Sequence, residues 1–113
     1  MRINKEMKTL TEEKFDSAIS REKVLICFSS SWCQPCKKVI EILEEIEGDQ
    51  SPSFRRSVGQ FQIYKFIIDK ADNMIDRFDV SKVPMLVLFE NGKEMRRLVG
   101  LKTKKDIQKF LLE

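Results

Sequence analysis

A chain of 113 residues, 42% hydrophobic and 35% charged, can bury one core without a metal or disulfide scaffold, and its four Gly and three Pro exclude fibrous or disordered classes. A net charge of +3, with basic and acidic residues intermixed, excludes the dense basic surface that nucleic-acid binding needs. Three cysteines are too few and of the wrong parity for a structural disulfide framework, and no apolar stretch approaches the ~20 residues of a membrane span.

Residues 1–15 carry charges throughout and no apolar leader core, so the expectation is a single cytoplasmic domain over 1–113, without membrane or nucleic-acid partners. Residues 3–10 predict at most a short edge strand, because their alternation is weak. Thr11 ahead of Glu12 and Glu13 predicts a helix start, with Phe15, Ala18 and Ile19 on one face and an end near Ser20. Val24 to Phe28 is a continuous β-favouring run, as in a central strand covered on both faces.

That run leads through Ser29-Ser30-Ser31 into Trp32-Cys33-Gln34-Pro35-Cys36, after which Val39, Ile40, Leu43 and Ile46 recur at helical spacing up to Gly48. Residues 48–60 are polar and predict a loop or a frayed extension of that helix. Phe61 to Ile68 predicts a strand closing at Asp69, and Asn73 to Phe78 a short helix. Met85 to Phe89 predicts a further strand behind Val83-Pro84, and Asn91-Gly92, tolerant of positive φ at both turn positions, a hairpin to Lys93 through Val99. Thr103 and Asp106 form a capping-box pattern for a last helix whose inner face is Ile107, Phe110 and Leu111. This order predicts an α/β fold, a central sheet of four or five strands with helices on both faces.

The cysteine pair lies where a strand meets a helix, and that position favours chemistry. The thiolate is the nucleophile of disulfide exchange, and unpaired N–H groups at a helix N-terminus stabilise it. Pro35 suits the first helical turn and stiffens the loop between the sulfurs. Cys33 is thus the candidate nucleophile, and Cys36, one turn further in, the candidate resolving thiol. A metal site is the competing assignment. It normally needs four ligands, whereas this chain has no His and one further cysteine, Cys27, so no metal is expected.

On these residues the chain resembles the thioredoxin family from Phe15 to Leu111. The likeness rests on the strand ending in Phe28, the Trp32-Cys33-x-Pro35-Cys36 motif, Lys65 and Asp69, Val83-Pro84, Asn91-Gly92 and Val99-Gly100. The resemblance implies a thioredoxin fold and protein-disulfide reduction without a bound organic cofactor. It implies protein disulfides as substrates, and a thioredoxin reductase or another thiol donor as partner. It further implies that Pro84 is cis, that the backbone at Val83 pairs with substrate, that Trp32 is an exposed platform beside Cys33, and that Lys65 supports the site.

The departures bear on mechanism. Thioredoxins commonly hold a buried Asp where this chain has Cys27, a Gly where it has Gln34, and a Trp where it has Ser29. A neutral thiol cannot move a proton for the resolving cysteine as a carboxylate can, so slower resolution is expected, with Cys27 an inert buried thiol or a third redox group. Residues between the cysteines tune the potential in that family, so the resemblance implies such a role for Gln34. The alternatives are a disulfide oxidant or isomerase, and a binding module with little redox turnover.

Overall fold

In the structure, a computed structural model, residues 7–49 and 52–113 are described. Chain order runs β1 (Lys8–Thr9), α1 (Glu12–Ile19), β2 (Val24–Ser29), α2 (Gln34–Glu47), α3 (Pro52–Val58), β3 (Gln62–Ile67), α4 (Asp72–Phe78), β4 (Met85–Glu90), β5 (Lys93–Val99) and α5 (Lys104–Leu112). The strands form one mixed sheet in the order β1-β3-β2-β4-β5. β2 pairs parallel with β3 and antiparallel with β4; β1 runs parallel to β3 and β5 antiparallel to β4.

The central place of β2 explains its unbroken apolar run, because both of its faces are covered. Leu25 and Cys27 face a core built with Val39, Leu43 and Ile46 of α2 and Ile107, Phe110 and Leu111 of α5. Val24, Ile26 and Phe28 face the opposite core, with Phe15 of α1 and Met74 of α4. β4 divides in the same way, Leu86 and Leu88 to one side and Met85, Val87 and Phe89 to the other. The expected α/β layering therefore holds, with five strands.

Local signals act as the sequence predicts at most element ends. Asn91 and Gly92 take φ of 53° and 86° in the β4–β5 turn. Thr103 and Asp106 form both bonds of the capping box. Thr11 stands at the N-cap of α1, but its hydroxyl makes no capping bond. Of the predicted edge strand, residues 3–6 lie outside the described residues, and Lys8–Thr9 is the part that pairs.

The stretch 48–60 requires a correction. It is neither a plain loop nor a continuation of α2: α2 stops at Gly48, which caps it in right-handed geometry at φ −81°, and a separate helix, α3, follows. Arg55 holds α3 in place by donating to the carbonyls of Glu47 and Asp49, at 2.9 and 3.0 Å, while Val58 is buried. Gly59 ends the helix at φ +80°, its N–H donating to the Arg55 carbonyl at 2.8 Å.

Candidate active site

The end of β2 delivers the chain into a short turn and then into α2. Cys33 is the N-cap residue of that helix, with Gln34 and Pro35 opening its first turn. The Ser30 carbonyl accepts the Cys33 N–H at 3.3 Å, and Sγ of Cys33 accepts the Cys36 N–H at 3.2 Å. The Cys33 sulfur thus occupies the place of a capping oxygen, where helix N–H groups and dipole favour negative charge on it once reduced. The two cysteines form a disulfide with Cα atoms 5.3 Å apart.

Their exposures differ in the direction that attack and resolution require. Cys33 keeps 8% of its surface and Cys36 1%. Beside them Trp32 is 71% exposed, so it is surface and not core, as the resemblance implies. Gln34 and Pro35 are exposed as well.

Three other segments converge on the turn. The Val83–Pro84 peptide is cis, also as implied, and the Val83 carbonyl oxygen lies 3.8 Å from the Cys33 sulfur. The Pro84 carbonyl accepts the Gly100 N–H at 2.9 Å, which brings the end of β5 to the same edge. The loop after β3 closes the third side: Ile68 N–H donates to the Ser29 carbonyl at 2.9 Å, and the Asp69 carboxylate accepts both the backbone N–H and the hydroxyl of Ser31.

Cys27 is fully buried and free, on the face of β2 that packs against α2. Burial pushes its thiol up to about 12, against a smaller downward pull from the Lys65 charge. Lys65 is its register partner on β3 and is half-buried. At neutral pH this thiol is protonated and unreactive, which favours the inert assignment over a third redox group. Ser29 and Ser30 are buried too, and neither hydroxyl has a hydrogen-bond partner among the described residues.

The structure therefore brings Trp32, Cys33, Cys36, Val83 and Pro84 to one edge and sets Cys27 and Lys65 beneath it in the sheet. The structure adds the bracing contacts that tie these residues together: Ser31 on Asp69, and Gly100 on Pro84. The short serine run before Trp32 is the one signal for the first, since a small hydroxyl with a free backbone N–H suits a carboxylate. Among the described residues no helix is long and apolar enough to cross a membrane, and no three His, Cys, Asp or Glu side chains cluster.

Comparison with known proteins agrees. The thioredoxin family model matches residues 6–113. Thioredoxin of Chlamydia caviae is 35% identical over 105 residues, covering 93% of this chain and 95% of that protein. Thioredoxin-1 of Saccharomyces cerevisiae is 36% identical over 91 residues, 80% and 81% of the two chains. Among solved structures, Malassezia sympodialis thioredoxin superposes with a TM-score of 0.79 at 20% identity, covering 98% of this chain and 91% of that one.

Proposed function

Because this chain belongs to the thioredoxin family and is a protein-disulfide oxidoreductase, we propose that it works as a reductase, with Cys33 attacking and Cys36 resolving. The carrying observation is the asymmetry of the pair: Cys33 at the helix N-cap with the larger exposure, Cys36 enclosed one turn behind.

In the dithiol form the Cys33 thiolate attacks one sulfur of a substrate disulfide. The substrate S–S bond breaks, its other sulfur leaves and takes up a proton, and a mixed disulfide joins Cys33 to the substrate. Cys36, deprotonated, then attacks Sγ of Cys33. That closes the Cys33–Cys36 disulfide and releases the second substrate thiol, so two electrons have passed to the substrate. The Val83 backbone, 3.8 Å from the reacting sulfur, is placed to pair with the substrate chain, Pro84 holds that backbone at the site, and Trp32 offers an apolar face.

Each turnover ends in the disulfide, so an external dithiol must reset it; a thioredoxin reductase or another thiol donor fits this need. We place the protein in the cytoplasm, with residues 1–113 acting as one domain. Gln34, exposed between the sulfurs, adjusts the potential of the couple.

The test is reduction of insulin by dithiothreitol followed by turbidity. The native chain is expected to accelerate precipitation well above background and Cys33→Ser to show background only. A native rate equal to background would reject the reductase assignment. Titrating the Cys33/Cys36 couple against glutathione then separates reductant from oxidant.

A further inference from the structure

With Cys33 as the attacking sulfur, a substrate disulfide must lie across one small edge of the molecule, beside Trp32 and along Val83. Basic side chains are prominent among the charges that frame that edge. Lys37 and Lys38 follow Cys36 directly and are exposed, and exposed Lys82 precedes Val83 directly.

None of these three lysines has an ion pair or side-chain hydrogen bond among the described residues. No carboxylate forms an ion pair with them among the described residues. Asp69 keeps its negative charge but is oriented by the N–H and hydroxyl of Ser31. Glu41 stands four and three residues on from Lys37 and Lys38, within helical reach, yet pairs with neither among the described residues. Asp79 is near Arg97, whose guanidinium also donates to the Asp79 carbonyl at 3.4 Å. Lys70 is offset by Asp72 two residues on, and Lys102 lies near Asp106, so neither is counted.

Inside this rim, beside the exposed Gln34, apolar side chains stand out to solvent. Trp32 is widely exposed, and Leu101, 57% exposed, follows the Gly100 that is bonded to Pro84. A disulfide embedded in an apolar segment with acidic neighbours complements both features; one with basic neighbours meets like charge.

We propose that the chain prefers disulfides flanked by acidic residues, with Lys37, Lys38 and Lys82 meeting the flanking carboxylates while Trp32 and Leu101 contact the apolar part. The proposal rests on Cys33 being the nucleophile. Exposed charges add little binding energy but steer encounter, so the preference belongs to the rate of mixed-disulfide formation and fades with salt.

The experiment uses three synthetic peptides with one common disulfide loop and flanking Glu, Gln or Lys pairs. The dithiol form of the native chain reduces each in stopped flow, and each rate is divided by that of the same peptide with uncharged dithiothreitol, which removes the intrinsic effect of the flanks on the disulfide. The expected result at low salt is a Glu peptide about tenfold faster than the Lys peptide, falling to within about twofold near 1 M salt. The Lys38→Glu/Lys82→Glu double variant should invert the order. This readout is a ratio between peptides, so a general change in Cys33 reactivity cancels. Equal corrected rates at low salt, or an order insensitive to both salt and charge reversal, would overturn the preference and leave the reductase assignment standing. Failure to reduce any peptide, together with failure on insulin, would defeat the assignment and the preference with it.

Discussion

Cys27 ties sequence to chemistry at the scale of one side chain. Its thiol moves from an ordinary value of 9.0 to about 12 because burial penalises the thiolate. Between those values the unfolded chain has lost its proton and the folded one keeps it. Stability from this group is therefore complete below pH 9 and falls as pH rises towards 12, by roughly 1 kcal/mol per pH unit. Urea unfolding of the disulfide form at pH 8 to 11 should show this extra alkaline loss in the native chain and its absence in Cys27→Val. The same position bears on mechanism. Cys27 shares a core with Val39, one turn along α2 from Cys36, so an acid placed there could exchange a proton with the resolving thiol. Cys27→Asp should speed the resolving step about tenfold or more in single-turnover reduction of a protein disulfide. An unchanged rate would show that resolution is not limited by proton transfer.

Among the elements, those with a periodic apolar face were legible. β2, β4, α2 and α5 each announce themselves through spacing, and Asn91-Gly92 and Thr103/Asp106 through local turn and cap chemistry that needs no tertiary context. α3 was not. Its seven residues hold one buried side chain, Val58, with Phe54 packed half-buried against the core, and Arg55 anchors it to the carbonyls of Glu47 and Asp49 at the end of α2, a contact no pattern within 52–58 encodes. Pro52 at its start and Gly59 at its end were the available signals. Arg55 also lies over the Phe61 ring at 5.9 Å. Arg55→Ala should lower stability by about 1–2 kcal/mol, and Arg55→Lys should recover less than half, since an ammonium cannot donate to two carbonyls with the fixed fork of a guanidinium. Urea midpoints of the three proteins measure this.

Across the whole molecule, the sheet separates two cores, and the site stands where β2 and the loop after β3 reach a common edge. The letters Trp32 to Cys36 and Val83-Pro84 were readable because each carries its own chemistry or backbone constraint. Ser31–Asp69 was not, because it joins segments 38 residues apart that only the closed sheet brings together, whereas Gly100–Pro84 extends the β4–β5 hairpin one rung beyond Met85–Val99. The core opposite α2 is held by phenylalanines: Phe15 lies 5.0 to 6.1 Å from the rings of Phe78, Phe66, Phe28 and Phe89. Truncating Phe15 should cost about 3–5 kcal/mol through lost burial and the cavity left behind. A domain of this size holds roughly 5–15 kcal/mol in all, so Phe15→Ala should remain folded at 25 °C but unfold at much lower urea. Its contacts lie on the face away from α2, whereas Cys33 and Cys36 are fixed by the α2 N-terminus and by Val83. Single-turnover reduction per folded molecule should therefore match the native chain within about twofold, a rate ratio worth less than 1 kcal/mol. A loss well beyond the unfolded fraction would show that Phe28, which Phe15 touches at the end of β2, transmits packing on that face to the turn that carries Cys33.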